Sequence, residues 1–239
     1  MIGKYLTSRL KPVKFLWLAA LFSIFVADAK SGAMPWLQNI VFLFLSFLVF
    51  RFIDDAGSVE TDRKEHPERT YLEVEQYPRF LRLTITLTIL YLLVLVLIDV
   101  RIFYTVLALI AGSAGLYFIS RRSQFPLEFI PLLKYPVLLW CLSGFSTDIH
   151  SLGPITSTFF IIFTYDALEK ISLEKINLFW GLIPLAVSGF LAFRVWENAT
   201  NLWLILPAML LIMLFKGSKK IRYVPVLYYP ILVFMLNIN

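Results

Sequence analysis

Apolar runs of membrane-spanning length recur along the chain, separated by short polar segments. A helix needs roughly 20 mostly apolar residues to cross about 30 Å of hydrocarbon. That measure predicts nine spans: Lys14 to Ala29, Met34 to Ile53, Phe80 to Ile98, Ile102 to Ser120, Leu127 to Phe145, Pro154 to Ala167, Ile176 to Phe193, Leu202 to Phe215, and Tyr223 to Leu236. The sixth and ninth are short or interrupted. The one long polar segment lies between the second and third spans, so no linker divides the chain. Residues 1–239 are expected to form a single integral membrane domain, an all-α bundle of nine transmembrane helices.

Composition agrees with this pattern. Of the 239 residues, 59% are apolar and 16% charged, against about 45 to 50% and about 25% in soluble domains. With ten Gly and twelve Pro, the chain is not disordered, collagenous or low in complexity. Its single cysteine, Cys141, excludes an intrachain disulfide or a cysteine metal cluster.

The net charge of +6 would raise nucleic-acid binding in a soluble protein. Here topology accounts for it, and no nucleic-acid partner is expected. With the N-terminus in the cytoplasm, the nine spans place 19 of the 22 Lys and Arg residues inside, leaving Lys30, Arg101 and Arg194 outside. The positive-inside rule asks for this bias, and a missed span would invert every later loop. The C-terminus is then on the opposite side. The basic start, apolar run and Ala27, Asp28, Ala29 also resemble a secretory signal with its cleavage site. Cleavage would leave eight spans and take away the first partner of the polar loop, so the uncleaved helix is preferred.

The polar segment RFIDDAGSVETDRKEHPERTYLEVEQYPR holds eight of the sixteen acids, interleaved with Arg63, Lys64 and Arg69. Residues 54–79 are expected to be a cytoplasmic loop. A solvated loop would account for the charge alone. However, the acids begin in the last turn of a membrane helix, where negative charge opposes the dipole. Asp54, Ser58 and Asp62 also fall at i, i+4 and i+8, so a continuing helix would present three oxygen-bearing side chains on one face. Carboxylates followed by Arg and Lys suit a site holding a divalent metal and a phosphate together. A second acidic cluster, residues 166–175, begins after span six with Asp166, Glu169 and Lys170, on the same side by this topology. Alone, that cluster would read as a helix end with an i, i+4 ion pair; ionisable groups there usually face a cavity or partner.

Two acidic motifs after the second and sixth of nine helices resemble the plan of the UbiA superfamily of intramembrane prenyltransferases. One branch carries a first motif close to DEIKDYEIDxxxHPxRPL, and DDAGSVETDRKEHPERTYL matches its spacing without a gap. Asp54 and Asp62 fall on the first and third motif acids, and Glu60, His66, Pro67 and Arg69 on downstream positions. TYDALEKI is similar to that branch's second motif, FxEIxRKI, through Asp166 and Lys170. The departures are Ile53 for the common Asn, Ser58 for the middle Asp, Thr70 and Tyr71 for Pro and Leu, and a second motif with fewer acids.

The resemblance implies transfer of a prenyl group from a polyprenyl diphosphate to a lipophilic or aromatic acceptor, with the chain among membrane lipid. Magnesium (Mg2+) would be held by Asp54, Ser58, Asp62, Asp166 and Glu169, with Asp54, Asp62 and Asp166 as the catalytic acids. Arg63, Arg69, Lys134 and Lys170 would hold the diphosphate, with Arg121 and Arg122 as further candidates. Lys134 lies in an LKYP stretch like one near the start of helix five in family members. His66 matches an ordinary loop position, and His150 is on the other membrane side. Asp55 and Glu60 are left between water and a second metal. A terpene cyclase would use the same site without an acceptor, and a non-catalytic lipid-binding or transport protein would use the acids without phosphate chemistry.

Overall fold

The computed structural model describes residues 12–24, 33–65, 76–120 and 132–148, together with positions 5, 26, 67, 73, 152, 155 and 162. Among the described residues the structure is all-helical, with no strand. The helices are α1 (Pro12–Ile24), α2 (Ala33–Gly57), α3 (Val59–Glu65), α4 (Tyr77–Ile98), α5 (Val100–Ser120) and α6 (Lys134–Leu142). Four of them answer to the first four predicted spans. Of the fifth, residues 134–142 are helical; the sixth to ninth lie outside the described residues apart from single positions. The chain divides into two compact units, Met1–Pro131, which carries α1 to α5, and Leu132–Asn239, which carries α6.

Proline marks the helix starts. Pro12 opens α1, and Pro35 and Pro78 lie in the first turns of α2 and α4, where a missing N–H removes no helical bond. One extended residue, Asp99, separates α4 from α5. Its N–H closes α4 on the Leu95 carbonyl, while its carboxylate accepts the Arg101 backbone N–H at 2.7 Å and the Arg101 guanidinium at 3.1 Å. Hydrogen bonding from Arg101 holds the Asp99 carboxyl below its ordinary value. A depressed carboxylate contributes fully above the ordinary range and is lost as pH falls through the lowered value. Amide exchange in the first turn of α5 is therefore expected to be flat from neutral pH to about 4 and to speed up only at lower pH, after correction for intrinsic rates.

Two described helices, α2 and α4, are long and apolar enough to cross a membrane. A buried helix of a soluble protein could pass the same test, but α4 does not fit that description. Only 17% of its apolar window is buried. Phe80, Thr84, Tyr91 and Leu95 form its single inward stripe, while Ile85, Ile89, Leu93, Val96 and Leu97 are exposed. Polar groups, in contrast, are inside. Ser23, Ser46, Thr84 and Ser113 are buried, and Ser46 shares a short hydrogen bond with the Tyr91 hydroxyl, joining α2 to α4. Apolar surface outward and small polar residues between helices is the arrangement lipid favours.

α6 ends in a Schellman motif. The Phe145 N–H bonds the Trp140 carbonyl and the Gly144 N–H bonds that of Cys141, satisfying two terminal acceptors. Gly144 (φ 68°) and Phe145 (φ 62°) are both left-handed, and the Phe145 ring meets Trp140 edge-on at 5.1 Å. Nothing would touch a Cβ at Gly144, so Gly144→Ala suffers from backbone conformation alone. Its expected cost is about 1 kcal/mol in a thermal or denaturant unfolding comparison.

Candidate acidic site at the end of α2

Asp54 does not stand at a frayed helix end. The Ser58 N–H bonds the Asp54 carbonyl at 2.9 Å, and the Asp62 N–H bonds the Ser58 carbonyl at 2.8 Å. These two bonds flank Ser58, the single turn residue between α2 and α3. Of the segment expected as a loop from Asp54, residues 54–57 and 59–65 are helical, with Ser58 as a turn between them. Asp54 and Asp55 lie in the last turn of α2, which carries no basic residue. The end of α3 carries Arg63 and Lys64, whose charge suits exposed C-terminal carbonyls.

Asp54, Ser58 and Asp62 follow one another across this junction, and Ser58 Oγ donates to Asp62 Oδ2 at 3.1 Å. The face is not straight. Each four-residue step overshoots a full turn by roughly 40°, so Asp62 is rotated roughly 80° from Asp54. That drift carries Asp62 toward the side of Val59, and both are buried, at 7% exposure each. Asp54 and Ser58 remain half-buried.

Asp55 points elsewhere. It is 1% exposed, accepts from the Tyr5 hydroxyl at 2.8 Å, and pairs with Arg51 at 3.2 Å. The adjacent acids are therefore divided: Asp55 faces the interior, neither water nor a metal-bearing surface. The Tyr5 ring lies 5.0 Å from Phe52 and 5.1 Å from Phe80, in a cluster completed by Val59. This apolar layer backs the acidic turn. Neither the carboxylate's burial nor Tyr5 was expected from the sequence, although Phe52, Asp55 and Val59 are spaced i−3, i and i+4 on one helical face.

The basic candidates differ in their local settings. Arg63 is exposed, its guanidinium 5.9 Å above the Tyr77 ring centroid, and Tyr77 donates to the Ala56 carbonyl at 3.3 Å. These contacts tie the start of α4 to the end of α2. Lys134, in the second unit, opens α6; it is 4% exposed, with Nζ 5.6 Å from the Tyr135 ring centroid. Arg69, His66, Asp166, Glu169, Lys170, Arg121 and Arg122 lie outside the described residues, and so does the whole second motif.

Hard carboxylate and hydroxyl oxygens suit magnesium, which takes one or two carboxylates and completes its shell with water and phosphate oxygens. Asp54 and Asp62 are separated by about 12 Å of helical rise, too far for their carboxylates to share one ion. Ser58 and Asp62 can serve one ion, and Asp54 another. Among the described residues no three His, Cys, Asp or Glu side chains gather as a metal site. No family model, curated protein or solved structure matches the chain.

Proposed function

We propose that this chain is a UbiA-like intramembrane prenyltransferase, moving a prenyl group from a polyprenyl diphosphate to a lipophilic or aromatic acceptor. The observation that carries the reading is the succession of Asp54, Ser58 and Asp62 across the junction of α2 and α3, with Ser58 bonded to Asp62, at the end of a membrane-length apolar helix. The motif resemblance supplies the chemistry. In this reading nine spans place the N-terminus and both acidic motifs at the cytoplasmic face and the C-terminus opposite.

Each residue has a distinct task. Asp54 offers one carboxylate to a cation, and Ser58 with Asp62 offers a second group of oxygens a turn or two further on. Those oxygens would hold magnesium, whose Lewis-acid charge would favour departure of a diphosphate. Arg63 and Arg69 would neutralise the departing diphosphate, a role that the motif resemblance also gives to Lys134 and Lys170. The apolar bundle holds the prenyl tail and keeps water from the allylic cation. The motif resemblance gives Asp166 and Glu169 a metal-binding role as well.

Incubating the purified protein with magnesium and prenyl diphosphates of several lengths tests the reading. Pyrophosphate release and a prenylated lipid, identified by mass spectrometry, are expected; a cyclic hydrocarbon instead would indicate the terpene cyclase. Ser58 in place of a third acid favours one rival reading, a non-catalytic lipid-binding membrane protein. That rival predicts no pyrophosphate from any donor.

A further inference from the structure

Asp55 is a carboxylate 1% exposed, and a buried charge is costly unless paired and hydrogen-bonded. Its two oxygens have separate partners. Arg51, one turn earlier on α2, reaches Oδ1, a local contact that any rotation of the helix would preserve. Tyr5 reaches Oδ2 from fifty positions away in the sequence. Of these two contacts, the second is the one that reaches beyond α2.

The tyrosine is confined on all sides. It is 2% exposed, with its ring between Phe52 of α2 and Phe80 of α4, which themselves stack at 5.6 Å. A phenylalanine would fill the same space. The hydroxyl adds one directed bond, to the residue next to Asp54. Adjacent helical residues point about 100° apart. Holding Asp55 inward therefore fixes the direction of Asp54 and, one turn on, of Ser58.

We infer that Tyr5 is a positioning residue: its bond to Asp55 sets the rotation of the helical turn that presents Asp54 and Ser58. The consequence for catalysis rests on the prenyltransferase reading, whereas the docking of Tyr5 on this turn does not. The full chain in lipid nanodiscs, unaltered and as Tyr5→Phe, separates the two. Amide exchange at Ser58 and Asp62 is expected to rise about tenfold in Tyr5→Phe, the size of a lost hydrogen bond to a charged group. Exchange in the middle of α4 stays as it was, and the magnesium concentration for half-maximal pyrophosphate release rises by a similar factor, with KM for the donor unchanged. Asp55→Asn, which keeps an acceptor oxygen, produces a smaller rise at the same two amides. Unchanged exchange at Ser58 and Asp62 overturns the inference, as does a uniform rise across α1 to α5, the mark of a merely structural residue. Faster local exchange in a protein that releases no pyrophosphate supports the positioning role and rejects the prenyltransferase reading.

Discussion

Asp62→Ala is expected to lower magnesium-dependent pyrophosphate release by about a hundredfold or more, the usual consequence of removing a group that stabilises developing charge. Asp54→Ala should fall equally far, since the two carboxylates are too widely spaced along the helix to substitute for one another. Ser58→Ala should lose less activity, because its hydroxyl supplies no charge. The assay compares each variant in nanodiscs with the unaltered protein across a magnesium titration. Asp54 is half-buried and outside the aromatic cluster, so Asp54→Ala should stay near the parent unfolding midpoint, whereas Ser58→Ala, which takes a hydrogen bond from the buried Asp62, should lose about 1 kcal/mol. Full activity in both Asp→Ala variants would remove the acidic turn from the chemistry and with it the prenyltransferase assignment.

Asp55→Ala is expected to act on stability, at about 3 to 5 kcal/mol, the range for breaking one side of a buried charge pair. The loss has two sources: Arg51, only 27% exposed in its side chain, keeps its charge without its counter-ion, and the buried Tyr5 hydroxyl loses its acceptor. Asp55→Asn retains an acceptor and should lose about 1 to 3 kcal/mol. Unfolding in mixed detergent, followed by tryptophan fluorescence or helicity, gives both values. A loss under about 1 kcal/mol for Asp55→Ala would mean that water reaches the pair. The contrast between neighbours is the useful result: Asp54→Ala should remove activity at constant stability, and Asp55→Ala should remove stability first.

The apolar runs were legible because span length is set by the bilayer and not by any distant contact. Met34 to Ile53 and Phe80 to Ile98 both lie inside observed helices. Their ends were less legible. α2 extends past Ile53 because the i, i+4 bonds continue beneath the acids, and charge density in a sequence does not reveal whether the backbone beneath it is helical. The spacing of Asp54, Ser58 and Asp62 correctly anticipated their succession, but the roughly 80° drift that buries Asp62 needs the helical pitch as well. Asp55 was legible in principle, since Phe52 and Val59 mark its face as inward. Tyr5 was not, because nothing local ties a residue near the start of the chain to an acid fifty positions later. Asp166, Glu169 and Lys170 fall outside the described residues, so the second motif stands on its sequence alone.

The outward apolar stripe of α4 also bears on temperature dependence. Unfolding a water-soluble domain hydrates its apolar side chains, and the resulting heat-capacity increase bends its stability curve into a dome. In a bilayer the leucines, isoleucines and valines of α4 contact hydrocarbon before and after the helices separate. Separation exposes mainly Ser46, Tyr91, Thr84 and the aromatic rings of the inner seam. The heat capacity of that step should be small, so helix association in lipid should vary almost linearly with temperature and show no cold-induced dissociation.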